Sequence, residues 1–481
     1  MSKNYFYLTT TLPYVNAEPH IGFGLEITEA DVIARYMTMM GKKVVFNTGT
    51  DEHGQKIYQK ALENKQNPQA YCDEYAAKFE NLKNQLNINY TNFIRTTDEH
   101  HLKAAQEFWI RCKRNGDIYK KLYKVKYCVG CEMEKTESEL AGGKCPLHPN
   151  RELEIREEEN YFFSFSNYER PLLKLYNENL QYIKPTGKYK EIVSFVERGL
   201  QDFSISRLKE KMPWGIPVPD DDDHVMYVWF DALINYISTL GWPNDEENFK
   251  NFWPGIQLAG KDNLRQQSAM WQAMLMSAGL PNSTQILING FISVEGQKMS
   301  KSLGNVISPE QMVEKYGTDA TRYLLISLGT FAGDMDVSWE KFNTKYTADL
   351  ANGLGNLCSR VAKMCEKSGL NGKEINREKF DHDIYERFRK MMNDFELTKA
   401  LELNFKNVNW GVFWLDDYLA KEKPWKKEGE EKKQILVKAV GLIKRISLQL
   451  QPFMPDTAQA ILNHFSQEKI RAMKPMFPRL K

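Results

Sequence analysis

The chain has 481 residues, 42% of them hydrophobic and 27% charged, which is too long for one ordinary core and points to roughly three domains. A net charge of +2 neither demands nor excludes a nucleic-acid partner, which would have to be met by local basic patches. The start, MSKNYFYLTTTLPYV, lacks a basic region followed by an apolar core, and no run approaches the roughly 18 to 20 apolar residues that span a bilayer; this argues for a cytoplasmic location.

An apolar strand is predicted over Tyr5 to Thr10, then a turn-rich stretch with Pro13, Asn16 and Pro19, then a helix over Gly22 to Met40. A second short apolar run, Lys43 to Asn47, ends in TGTDEHG, Thr48 to Gly54. Strand, loop, helix, strand is the start of a parallel α/β sheet, in which ligands lie beyond the carboxyl ends of the strands. From about Lys120 to Pro219 aromatic strands and a cysteine cluster break this rhythm and read as an insertion. Apolar runs of the sheet resume at Val225 to Phe230, at Ile256 to Ala259 before GKDN, and at Gln285 to Ile288 before NGFISVEGQKMSKSLGN. From about Ala351 onward the pattern is amphipathic helix, as in Ile435 to Leu450.

Three constellations carry chemistry. The turn Pro19, His20, Ile21, Gly22 opens a helix, whose N-terminal N–H groups and partial positive charge suit phosphate; an imidazole at position 20 can donate to phosphate oxygens. On its own it would more often be a histidine in an ordinary turn. GQKMSKSLGN, Gly296 to Asn305, is a flexible, cationic, hydroxyl-rich loop able to neutralise a leaving pyrophosphate. Seven cysteines is an odd number, and CVGC, thirteen residues, then CPLH sets Cys128, Cys131, Cys145 and His148 at metal-ligand spacing. Three thiolates and an imidazole give closed tetrahedral coordination, the mark of one structural Zn2+ in a reducing compartment. Cys72, Cys112, Cys358 and Cys365 are then free thiols.

PHIG near the start with KMSKS, Lys298 to Ser302, resembles the HIGH and KMSKS signature of class I aminoacyl-tRNA synthetases. Within that class TTLPYVNAEPHIG, TGTDEHG, YVWFDALINYI, AGKDN, KMSKSLGN, LGNLCSR and EKPWK follow the order seen in the methionyl-tRNA synthetase family, and the similarity covers essentially the whole chain. The resemblance implies a Rossmann-type catalytic domain in two halves, 1–116 and 225–290, split by a connective insertion with a zinc knuckle, 117–224. It further implies a KMSKS and stem-contact region, 291–350, and an anticodon-binding helical bundle, 351–481. It implies ATP with Mg2+, methionine, and initiator and elongator tRNA(Met) as partners, and the ending without an appended domain suggests a monomer.

Residue by residue, the resemblance implies that His20, Gly22, Glu26, Gly260, Asp262, Lys298 and Lys301 serve ATP, with Asp262 on the ribose and His20, Lys298 and Lys301 catalytic on the phosphates. Asp51 would hold the α-amino group of methionine, while Leu12, Pro13, Tyr14, Trp229, Ala232, Leu233, Tyr236 and Gln267 would surround its side chain. Aromatic and aliphatic walls suit a polarizable thioether, yet without the family Trp229 to Tyr236 reads equally as core at helical spacing. Asn356 and Arg360, at i and i+4 on one helix face, with Pro424 and Trp425, would read the anticodon, aided by Lys421, Lys423, Lys426 and Lys427. Capping or packing is the plain alternative for that set.

Three positions depart from the family pattern: Phe23 stands for the second histidine of HIGH, Gln267 for a histidine in the helix after GKD, and Asn289 where HGF or HGY is usual. A phenyl ring cannot donate to phosphate, whereas glutamine keeps hydrogen bonding and loses the titrating ring. Synthetases for leucine, isoleucine and valine need a longer chain, and a cysteine enzyme keeps its zinc in the active site. A paralogue that only binds tRNA or protein would have no use for a pyrophosphate loop.

Overall fold

A computed structural model describes residues 4–131, 133–135, 140–299, 304–331, 333–375 and 382–480, which divide into two compact units. Unit 1 comprises 1–18, 43–81 and 90–288, and unit 2 comprises 19–42, 82–89 and 289–481.

Unit 1 is built on a six-stranded sheet of β1 (Tyr5–Thr9), β2 (Lys43–Thr50), β3 (Asn92–Arg95), β4 (Ile183–Lys184), β5 (Ile256–Gly260) and β6 (Gln285–Asn289). The order is β3-β2-β1-β5-β6-β4, with parallel pairing of β1 to both β2 and β5, of β2 to β3 and of β6 to β4. Chain order reverses between β1 and β5, so the loops after these strands, TTLPYV and GKDN, open at the switch point of the sheet. The fold class read from the sequence, a Rossmann-type parallel sheet split by an insertion, is the one observed.

Details differ from the sequence reading. β2 runs on through Thr50, because Thr48 to Thr50 pair with Phe93 to Arg95 of a strand too short to stand out in the sequence. Val225 to Phe230 is not a strand of the parallel sheet. Its first residues belong to Asp221–Met226, paired antiparallel with Ser206–Leu208 and Pro217–Val218, and the chain then turns into the short helix α3 (Val228–Ala232). The missing strand, β4, comes from within the insertion.

The insertion is dominated by a long antiparallel pair, Ile118–Cys128 with Glu154–Phe163, extended by Met133–Lys135 and Phe203–Ser204. Helix α2 (Glu99–Arg114) buries His101, Ala104, Ala105, Phe108, Trp109 and Cys112, a stripe at helical spacing. Phe108 stacks on Trp271 at 5.6 Å and meets Phe230 and Trp242 edge-on, while Trp109 meets Phe230 at 5.2 Å. Each such buried ring contributes about 2 to 3 kcal/mol of transfer free energy.

Unit 2 holds α1 (Ile21–Met39), the KMSKS region and the C-terminal helices. Helix α1 is buried over most of its length despite carrying Glu26, Glu29 and Asp31. Asp31 is matched by Arg35 at 2.7 Å and by the fully buried Arg322 at 2.6 Å, and it accepts the Asn89 N–H. Arg322 also donates to the carbonyls of Leu86, Pro452 and Phe453, so one guanidinium satisfies a buried charge and three backbone carbonyls just past helix ends. Beyond residue 351 the described residues form helices without strands, including α4 (Asn356–Ser368), α5 (Val412–Glu422) and α6 (Gly429–Leu450). In α6 Ile435, Leu436, Ala439, Val440, Ile443, Ile446 and Leu450 form the buried stripe.

Candidate active site and metal centre

In unit 1 the TGTDEHG segment is held from several sides. Asp51 N–H donates to the Pro13 carbonyl at 3.0 Å, its own carbonyl accepts from Val15 N–H at 3.3 Å, and Asp51 forms a parallel bridge with Tyr14. This fastens LPYV to the end of β2 and leaves Asp51 buried at the carboxyl edge of the sheet. Its neighbour Glu52 accepts from Arg95 Nε at 2.6 Å and Nη2 at 2.9 Å, from Thr50 at 2.6 Å and from Thr97 at 2.6 Å. His53 Nδ1 lies 2.6 Å from Asp231, which also meets His101 Nε2 at 2.8 Å. Burial alone would raise the Asp231 pKa, but the field of His53 and hydrogen bonds from both imidazoles hold it below the ordinary carboxylate value.

Of the residues expected around the methionine side chain, Leu12, Tyr14 and Trp229 are half-buried and Ala232, Leu233, Tyr236 and Gln267 buried. Leu233 and Tyr236 also belong to the main core of unit 1, so both readings of that run describe part of what is seen. The Tyr236 carbonyl accepts from Tyr7 OH at 2.8 Å, and the Tyr236 hydroxyl accepts from Gln267 Nε2. Gln267 sits in a π-helical turn, Gln266–Met270, an irregularity frequent at functional positions. Its Oε1 is buried with no donor among the described residues. At the end of β5, Gly260 is half-buried and Asp262 exposed.

In unit 2 His20 is the N-cap of α1. Its backbone is extended and its Nδ1 accepts from Gly22 N–H at 3.0 Å, which places the ring proton of the neutral imidazole on Nε2 and makes that atom a donor. Glycine at 22 leaves room for this cap, since a Cβ would stand 2.7 Å from His20 Cε1 and displace the ring. Met299 Cε comes within 3.9 Å of the same point, so the loop bearing Lys298 touches the start of α1. Phe23 is half-buried and Glu26 buried one turn further on.

Lys298 is not on a loose loop. It ends a small hairpin in which Ile292–Val294 pairs with Gln297–Lys298 across Glu295 and Gly296, both at positive φ. Asp336 clamps the turn: its Oδ1 accepts from Gly296 N–H at 2.6 Å and Ser293 Oγ at 3.0 Å, and its Oδ2 meets Lys341 at 2.8 Å. Lys341, Gly296 and Ser293 hold the Asp336 pKa down at about 2. Lys298 Nζ rests 5.3 Å from the Phe291 ring. Lys301 lies outside the described residues.

Cys128, Cys131, Cys145 and His148 converge, with ligand atoms all within 4.8 Å of one another. Cys131 Sγ is 3.3 Å from Cys145 Sγ and 3.2 Å from His148 Nδ1, while Cys128 and Cys145 Sγ lie 3.7 and 3.9 Å from that nitrogen. Tetrahedral zinc with Zn–S near 2.3 Å and Zn–N near 2.0 Å separates its ligands by about 3.5 to 3.8 Å, so three thiolates and an imidazole gathered this closely suit that ion. Gly130 belongs to the fit, because a Cβ there would lie 2.5 Å from the His148 ring. Cys72, Cys112, Cys358 and Cys365 are buried free thiols outside it.

In the helical end Asn356 is exposed and Arg360 half-buried on α4, Pro424 is buried and Trp425 is 48% exposed. Arg360 is engaged by Asp416 of α5 in an ion pair that sequence reasoning did not include. Lys421, Lys423 and Lys426 are exposed, but Lys427 is bound by Glu422 at 2.9 Å and Glu431 at 2.8 Å, which cancels much of its attraction for phosphate.

The sequence model of the family described as tRNA synthetases class I (M) matches residues 6–152 and 139–362, and with the sheet and motifs above it defines a class I tRNA synthetase. A methionine--tRNA ligase of Thermotoga maritima is 42% identical over 482 residues, covering 96% of this chain and 76% of its own length. One of Thermosynechococcus vestitus is 42% identical over 480 residues, covering 95% and 89%. The solved structure of Mycobacterium tuberculosis methionyl-tRNA synthetase in complex with methionyl-adenylate matches with a TM-score of 0.89 at 34% identity, covering 99% of this chain and 97% of that one. The chain belongs to the methionyl-tRNA synthetase family.

Proposed function

We infer that the chain activates L-methionine with ATP, releasing pyrophosphate, and transfers the methionyl group to the 3′-terminal adenosine of tRNA(Met). The observation that carries this reading is the buried Asp51, fastened through backbone hydrogen bonds to Pro13 and Val15 at the carboxyl edge of the parallel sheet in a chain of this family. A carboxylate held there is suited to an ammonium group. Leu12, Tyr14, Trp229, Ala232, Leu233, Tyr236 and Gln267 surround the side chain, with the Gln267–Tyr236 hydrogen bond providing the polar contact near the thioether. Gly260 and Asp262 serve the nucleoside. His20 through its Nε2–H, Gly22 through its approach to the helix start, Glu26, Lys298 and Lys301 serve the phosphates. Methionine carboxylate attacks the α-phosphate, and the protein acts by positioning and charge stabilisation without a side-chain nucleophile.

Mg2+ enters on the triphosphate, as it commonly does through substrate oxygens. One zinc ion held by Cys128, Cys131, Cys145 and His148 keeps the tip of the insertion folded and takes no part in the reaction. The division into catalytic halves, insertion, KMSKS region and anticodon bundle follows the boundaries given above. Asn356, Arg360, Pro424 and Trp425 read the anticodon of initiator and elongator tRNA(Met) alike, in the cytoplasm, with the chain acting as a monomer. Among the described residues no helix is long and apolar enough to cross a membrane.

ATP–pyrophosphate exchange measured with each amino acid in turn tests the reading. Exchange stimulated by methionine, followed by charging of tRNA(Met), is expected. Exchange driven by a different amino acid, or tRNA binding with no adenylate formed, overturns it.

A further inference from the structure

Asp231 is fully buried in unit 1, with one oxygen 2.6 Å from His53 Nδ1 and the other 2.8 Å from His101 Nε2. None of these three residues has been given a substrate to hold, but their neighbours have. Asp231 stands between Trp229 and the pair Ala232 and Leu233 on the segment read as the side-chain wall, and His53 stands two residues after Asp51. His101, rooted in α2, places its Nδ1 2.9 Å from Ser238 Oγ, two residues beyond Tyr236. Glu52 is anchored in a separate network through Arg95, Thr50 and Thr97, while His53 joins the TGTDEHG loop to Asp231 on the pocket wall; Asn47, just before the loop, makes a second tie through Nδ2 to Asn235 at 3.1 Å. A buried ionic group is a poor way to gain stability, since an apolar residue of similar volume often does as well; in some proteins such a group instead fixes the register between the elements it joins.

We propose that Asp231 is a positioning residue for methionine: through His53 it fixes the separation between the Asp51 carboxylate and the wall formed by Trp229, Ala232 and Leu233. This rests on reading those residues as the methionine subsites.

The test uses ATP–pyrophosphate exchange on the full chain. Asp231→Asn is expected to raise the methionine KM about tenfold, with the ATP KM unchanged, because misplacement of about 1 Å costs on this order or more. His53→Ala is expected to do the same, and His53→Asn, whose amide nitrogen can stand near the place of Nδ1, to bring the KM back to within about threefold of the parent. Asp231→Asn combined with Asp51→Asn should raise the KM by clearly less than the product of the single effects, since both act on one contact. If Asp51→Asn raises the methionine KM and Asp231→Asn does not, the proposal fails while the pocket reading stands. If Asp51→Asn leaves it unchanged, the pocket reading fails first. Fully multiplicative effects, or no rescue by His53→Asn, would reduce Asp231 to general support of the fold. Should Asp231→Asn not fold, the two His53 variants decide the matter.

Discussion

Asn289 donates through Nδ2 to the buried carboxyl of Glu29 on α1 and accepts through Oδ1 from the Phe331 backbone N–H at 3.0 Å. The residue that departs from the usual histidine of the family thus bridges two elements of unit 2, and a neutral amide is well suited to do so. Burial pushes the Glu29 pKa well above the ordinary value, and the nearby Glu26 adds to the effect against the Asn289 hydrogen bond.

That shift fixes a sign. Below about pH 4.3 Glu29 is protonated in folded and unfolded chains alike and costs nothing. As pH rises toward its elevated folded pKa the unfolded chain ionises first, so stability falls by at most about 1.4 kcal/mol per pH unit over that window. Glu29→Gln keeps an acceptor for Asn289 and removes the titration. Denaturant unfolding at several pH values is expected to show the variant more stable by a margin that widens from about pH 5 upward; a margin independent of pH would show that Glu29 is accommodated as an anion.

The Asp336 clamp predicts a graded loss at the lysine hairpin. Lys298→Ala is expected to lower the exchange rate about a hundredfold, the scale of removing one charge-stabilising contact. Asp336→Asn leaves Lys298 in place but weakens the turn behind it, and should cost only about fivefold. Steady-state exchange on the two variants and their combination checks this. The double variant should be scarcely slower than Lys298→Ala alone, and equal, independent losses would mean that Asp336 does not act through the lysine.

Gln267 and Tyr236 share one hydrogen bond, so their effects on methionine should overlap. Gln267→Ala and Tyr236→Phe are each expected to raise the methionine KM about fivefold, and the pair together little more than either. Two independent losses would separate the residues.

In the C-terminal helices, the proposed anticodon role makes the Arg360–Asp416 pair the source of a selective prediction. Asp416→Asn releases the guanidinium from its fixed direction and should lower kcat/KM for tRNA(Met) charging about fivefold while leaving ATP–pyrophosphate exchange unchanged. Parallel charging and exchange assays would detect it, and a faster charging rate would show instead that Asp416 restrains Arg360 from the RNA.

Zinc removal tests the remaining centre. Metal analysis is expected to find about one zinc per chain, lost in Cys145→Ser, with proteolysis becoming faster near the knuckle and not in the parallel sheet.

The parallel strands Tyr5–Thr9, Lys43–Thr50, Ile256–Gly260 and Gln285–Asn289 were legible because each is an apolar run ended by a polar loop. The metal set was legible because its ligands pair at short spacing. Ile183–Lys184 was not, since two residues carry no period, and Val225 to Phe230 misled because an apolar run does not say whether it continues as strand or turns into helix. Asp231 with His53 and His101, and Arg360 with Asp416, escaped for a different reason. His53, Asp231 and Arg360 lie within recognised motifs, yet the paired positions are 178, 130 and 56 residues apart, and only folding brings them together.

Because Ile183–Lys184 closes the edge of the parallel sheet, the insertion is grafted into the catalytic unit at two depths. Its outer arm leaves and returns at facing residues, Ile118 opposite Phe163 and Tyr119 opposite Phe162, so evolution could lengthen, trim or discard the metal-bearing tip as it would resize a hairpin. The inner part has no such freedom. Deleting it would bare the hydrogen-bonding edge of Gln285–Asn289, an adhesive surface that sheet proteins keep covered. Length polymorphism in this fold therefore belongs at the tip of the arm, and its root is as fixed as the parallel sheet itself.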